Sequence, residues 1–100
     1  MKHFLIKYSF KNGTRDAWHQ RIREFIAGLD SDADLKGKIS YRCMREKEGT
    51  GYYHFAAVTD DQAAKALQGK DFFKRYTEET KRVSDGVVEV VPLELIAGTL

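Results

Sequence analysis

Residues 49–58 read GTGYYHFAAV, and their reading decides the fold of the chain. Gly49 and Gly51 close a loop that begins near Glu46, and YYHFAAV then runs on in strand-forming residues. Just upstream, KISYRCMR (38–45) alternates, with Ile39, Tyr41 and Cys43 on one side and Ser40, Arg42 and Met44 on the other. Two such runs with glycines between them predict a β-hairpin at the centre of the chain.

Working outward, HFLIKYSFK (3–11) places Phe4, Ile6, Tyr8 and Phe10 on one face and Leu5, Lys7 and Ser9 on the other, the period of a strand. Asn12-Gly13 ends it, and Thr14 can cap a helix. From Arg15 to about Leu29, Trp18, Ile22, Phe25, Ile26 and Leu29 recur at spacings of three and four and form one helical face. Asp30-Ser31-Asp32 breaks that pattern. After the hairpin, Thr59-Asp60-Asp61-Gln62 fits a capping box, with Thr59 as N-cap and Gln62 reaching back. AAKALQ then breaks at Gly69, and DFFKRYTEETKRV continues as a second helical segment ended by Ser84-Asp85-Gly86. VVEVVPLELI (87–96) reads as a last strand, and Pro92 within it calls for a sheet edge because proline cannot donate to a ladder.

The order β-α-β-β-α-β is that of a ferredoxin-like α+β domain over residues 1–100, a four-stranded antiparallel sheet in the order 4-1-3-2 with both helices on one face. Its fourth strand is an edge, where the proline asks to be. One hundred residues suit a single core. A net charge of +2 announces neither nucleic acid nor an anionic membrane, and no apolar run reaches the roughly 20 residues of a membrane span. No signal-peptide block opens the chain and Cys43 is its one cysteine, so the expectation is a cytoplasmic protein without disulfides.

Helices cover one face of such a sheet, so the other face bears on function. The alternation assigns Phe4, Ile6, Tyr8, Ile39, Tyr41, Tyr53 and Phe55 to the helix side. Leu5, Lys7, Ser9, Ser40, Arg42, Met44, Tyr52, His54, Ala56 and Val58 go to the outer side, with Val87, Glu89 and Val91 beside them. GTGYYHFAAV is similar to half of the RNP1 motif of RNA-recognition motifs, but Phe4 and Tyr8 then point to the helices and only Tyr52 is left as a stacking platform, which argues against RNA. The apolar outer residues instead call for a second copy packed sheet to sheet, a homodimer, with Lys7, Arg42, His54 and Glu89 as a polar cluster inside the contact.

The whole chain, and TDDQAAKALQGKDFFKRYTEE most of all, resembles the dimeric α+β barrel superfamily and, within it, the antibiotic-biosynthesis-monooxygenase-like domains. In LQGKDFFKRY, Phe73 stands at the usual aromatic position, and VVEVVPLELI is similar to a last strand that reaches toward the partner subunit. The resemblance implies a pocket between sheet and helices for a small aromatic or quinol-like molecule, which some members oxidise with oxygen and no metal or flavin. The haem-degrading members use a first-strand asparagine, a tryptophan after the third strand and a second-helix histidine. None of these stands at the corresponding place in this sequence.

There is no Gly-rich phosphate loop and no nucleophile elbow, and His3, His19 and His54 lack the spacing of a metal site. The expectations are therefore a pocket lined by Tyr8, Trp18, Tyr41, Phe73 and Tyr76, with His54 and Arg42 as the polar, catalytic partners of a monooxygenase-like reaction that uses no cofactor. A non-catalytic ligand-binding or stress-related barrel is the alternative, and an RNA-binding module using Tyr52 is a third.

Overall fold

The structure, a computed structural model, describes residues 1–99. The elements are β1 (Lys2–Ser9), α1 (Arg15–Ser31), β2 (Ile39–Arg45), β3 (Gly51–Val58), α2 (Asp61–Gln68), α3 (Asp71–Val83) and β4 (Val88–Leu93). The four strands form one antiparallel sheet in the order β2-β3-β1-β4. This is the expected ferredoxin-like α+β arrangement. β4 is an edge, and Pro92 lies in it opposite Phe4. No helix among the described residues is long and apolar enough to cross a membrane.

Local signals place most boundaries. The Thr14 hydroxyl accepts from Ala17 N–H and starts α1, whose Trp18, Ile22, Phe25 and Leu29 are all buried. The loop between β2 and β3 is closed by Glu46, whose carboxylate accepts from Gly51 N–H, and a Cβ at Gly49 or Gly51 would collide with that carboxylate. Gly69 separates α2 from α3, as the sequence implies. The core is the α1 stripe together with Tyr8, Leu35, Tyr52, Tyr76 and Val83, each large apolar side chain contributing roughly 1.5–3 kcal/mol on burial.

Three expectations need correction. The N-cap of α2 is Asp60, not Thr59: its carboxylate accepts from Ala63 N–H at 2.8 Å. The last strand spans only Val88–Leu93, because residues 94–96 leave the ladder. The largest correction concerns β3, whose faces are the reverse of the alternation's assignment. Tyr52, His54 and Val58 are buried toward the helices, while Phe55 is exposed on the outer face. Register enforces this: Tyr8 pairs with Tyr52, Ile6 with His54, and Cys43 with His54, so these residues share the helix side. The RNA-binding alternative thereby loses its platform, since Tyr52 is 2% exposed. His54 likewise leaves the expected outer cluster, where the Lys7–Glu89 ion pair remains at 3.5 Å.

Candidate functional site

His54 is completely buried, and its ring is held by phenols from three elements. Tyr8 Oη on β1 lies 2.7 Å from Nε2, and Tyr41 Oη on β2 lies 2.7 Å from Nδ1. Tyr76 Oη on α3 is 3.3 Å from the same Nδ1 and 3.2 Å from Tyr41 Oη. On α1, Trp18 Nε1–H donates to Tyr8 Oη at 2.8 Å.

That last bond assigns the tautomer. If His54 Nε2 carried the proton, Tyr8 would accept twice and its own hydroxyl proton would be left buried without an acceptor. Tyr8 therefore donates to Nε2, and Nδ1–H donates to Tyr41. Among the described residues no buried side-chain nitrogen or oxygen lacks a partner, so the network is closed.

Burial sets the charge states. It pushes the His54 pKa down from 6.5 to about 4, so the imidazole is neutral through the physiological range. It also pushes the Tyr8, Tyr41 and Tyr76 phenols well above their ordinary value, and the Cys43 thiol up to about 12. The rings themselves pack closely. Phe25 stacks on Tyr76 at 3.8 Å between centroids, Trp18 on Tyr76 at 5.6 Å, and Tyr8 on Tyr52 at 5.4 Å.

Beside this cluster lies a cavity of about 280 Å³ between α1 and the sheet. α1 contributes His19, Ile22, Arg23 and Ile26, β2 contributes Cys43, Met44 and Arg45, and β3 contributes Tyr52. His19 Nε2 is 2.8 Å from Tyr52 Oη. Burial, and next the Arg45 and Arg23 guanidinium groups, lower the His19 pKa. A second concavity of about 480 Å³ lies between α1 and α3, lined by Phe25, Gly28 and Phe72 with Arg21, Glu24, Arg75 and Glu79. A third, of about 270 Å³, opens at the β1–β3–β4 end around Lys7, Lys11, Glu46 and Glu89.

Of the residues expected at a site, the structure brings together Tyr8, Trp18, Tyr41 and Tyr76, with His54 at their centre. Phe73 packs at the edge of this core, 6.2 Å from Phe25 between centroids. Arg42 is not with them: it pairs with the outward Phe55 and is exposed on the opposite face of the sheet. Sequence reasoning missed the cavity residues His19, Arg23, Arg45 and Tyr52. A signal for part of the set exists, because His19, Ile22, Arg23 and Ile26 stand at i, i+3, i+4 and i+7 on α1. Among the described residues, no group of three His, Cys, Asp or Glu side chains is gathered as a metal site requires.

No protein-family model matches the chain, and no curated protein matches it in sequence. Solved structures do. SnoaB, a cofactor-independent oxygenase from Streptomyces nogalater, superposes with a TM-score of 0.76 at 14% identity, covering 97% of this chain and 94% of its own. A Caulobacter crescentus protein assigned to the antibiotic biosynthesis monooxygenases gives 0.78 at 14% identity, over 96% and 90% of the two chains. PA3566 from Pseudomonas aeruginosa gives 0.74 at 18%, over 96% and 94%. The chain has the fold of the antibiotic biosynthesis monooxygenase-like proteins.

Proposed function

We propose that this protein binds a small aromatic or quinol-type metabolite in the cavity between α1 and the sheet and oxidises it with molecular oxygen, without a cofactor. The observation that carries the reading is His54, a buried neutral imidazole held by phenol hydroxyls one strand position behind that cavity. The likeness in fold to a cofactor-independent oxygenase supports it.

In such a reaction an activated ring carbon or hydroxyl loses a proton and the resulting anion reduces O₂. One oxygen atom stays on the ring carbon and the other leaves as water, so that CH₂ + O₂ gives C=O + H₂O. This chain supplies three things. His54 is the proton acceptor, and an anion formed beside it raises its affinity for that proton. Tyr8 donates to Nε2 while Tyr41, backed by Tyr76, accepts from Nδ1–H, and together they fix the tautomer and orientation of the imidazole ring. Ile22 and Ile26 give the cavity its apolar surface, and Trp18 and Phe73 belong to the packed core behind it. Arg42, being on the other face, has no part in it.

The test is oxygen uptake with a panel of hydroquinones, comparing the native protein with His54→Gln and Tyr41→Phe after circular dichroism has confirmed the fold of each. Uptake above buffer, reduced roughly 100-fold by His54→Gln, is the expected result. Binding of the same compounds without any uptake overturns the oxygenase reading. It favours a second one, a ligand-binding protein without turnover, which the occupation of both His54 ring nitrogens supports.

The outer sheet face supports a homodimer. Leu5, Phe55 and Val91 lie side by side across β3, β1 and β4, and Met44 and Leu93 extend the apolar row. Phe55 is 39% exposed and Met44 51%. Packing this face on its own copy removes it from water. Light scattering should give twice the chain mass, and Phe55→Glu should give the monomer. A native monomer at micromolar concentration overturns the dimer.

A further inference from the structure

We infer that the cavity between α1 and the β2–β3 hairpin recognises a carboxylate on its aromatic ligand, so that the molecule it takes is a small aromatic acid. The inference deepens the reading of this cavity as the ligand site and rests on it.

Arg23 on α1 and Arg45 on β2 line the same cavity, and both guanidinium groups act on His19, which lines it too. Arg15, one turn before His19, adds its charge nearby. Neither Arg23, Arg45 nor Arg15 has a carboxylate within ion-pair distance among the described residues, although Arg21 on the adjacent helix face is bound to both Glu24 and Glu79. Arg15 and Arg45 spend donors on the backbone carbonyls of Gly49, Glu46 and Lys47. Among the described residues the Arg23 guanidinium has no hydrogen-bond partner, unlike that of Arg21.

Like charges gathered around a concavity repel, and an anion seated among them removes that cost. The rest of the lining is apolar or weakly polar: Ile22, Ile26 and the Cys43 thiol. Two guanidinium groups and the aliphatic surface of Ile22 and Ile26 in one concavity fit a flat apolar body carrying one carboxylate. The cavity volume of about 280 Å³ admits a bicyclic ring of that kind. His19, tied to Tyr52, presents its other ring edge within the same cationic field.

The experiment is titration calorimetry at low salt with 2-naphthoate, its uncharged amide, and inorganic phosphate. The acid should bind roughly ten-fold or more tightly than the amide. Arg23→Gln and Arg45→Gln should each remove most of that difference while leaving the amide unchanged, and Lys36→Gln on the remote loop should alter neither. Equal affinity for acid and amide, or an acid preference untouched by both arginine variants, overturns the inference while leaving the cavity as a ligand site. Phosphate binding as tightly as naphthoate also overturns it, because the ring then contributes nothing. If neither aromatic binds, the inference falls together with the ligand site. Acid binding that depends on both arginines, in a protein that consumes no oxygen, sustains the inference while removing the oxygenase.

Discussion

Cys43 and His54 sit directly opposite each other on β2 and β3, so a residue that lines the α1 cavity is also the cross-strand neighbour of the buried imidazole. What Cys43 does chemically follows from that position.

Burial raises the Cys43 pKa from 9.0 to about 12, with the Tyr76 hydroxyl partly offsetting it. Alkylation by iodoacetamide at pH 8 should run roughly 100-fold slower than for a free cysteine, because the thiolate is scarce. Unfolding in urea should restore the ordinary rate. Fast labelling of the folded protein would show that the thiol is not held in this environment.

Acid should destabilise the fold through His54. Its folded pKa of about 4 lies below the ordinary 6.5, so the unfolded chain binds the proton first. The stabilisation is fully present above pH 6.5 and is lost as the pH falls through 4, amounting to roughly 3 kcal/mol across that window. The lowered His19 pKa acts in the same direction. Urea midpoints at pH 7.5 and 4.5 measure the loss, and His54→Gln should flatten most of it.

Two phenols that look alike should differ in worth. Tyr8→Phe leaves both the Trp18 indole N–H and His54 Nε2 without a partner and should cost roughly 2–4 kcal/mol. Tyr41→Phe should cost only about 1 kcal/mol, because the Tyr76 hydroxyl is close enough to take over His54 Nδ1. Equal losses in urea unfolding would mean that Tyr76 provides no such substitute.

The start of α2 offers a sharp comparison between neighbours. Asp60→Ala removes the cap and should cost about 1 kcal/mol, whereas Thr59→Ala should fall within about 0.5 kcal/mol of the native protein. A reversed order in thermal unfolding would return the capping role to Thr59.

The element order, the edge position of β4 and the break at Gly69 were all legible, because each depends on local chemistry that a few residues carry: a period, a proline, a glycine. The faces of β3 were not. Aromatics occupy 52, 53 and 55, so neither parity of that strand is polar, and hydropathy alone sends Phe55 inward before His54. What reverses the choice is the supply of partners for the imidazole from β1, β2 and α3, together with the indole that ties Tyr8 to α1. Those residues are 46, 13 and 22 positions from His54 in the chain, beyond the reach of any pattern read along one strand. The aromatic members of the cluster could still be named, since they fell on core faces of their own elements. The cavity residues were harder to see, as Arg23 and Arg45 look like ordinary solvated cations until the fold brings them to one cavity.

The chain contains one tryptophan, and it is 2% exposed, bonded to Tyr8 and stacked on Tyr76. Its emission is therefore an optical gauge built into the network, free of background from any second indole. Opening of the core, or protonation of the neighbouring imidazole, can be followed in native protein by the colour and intensity of a single ring.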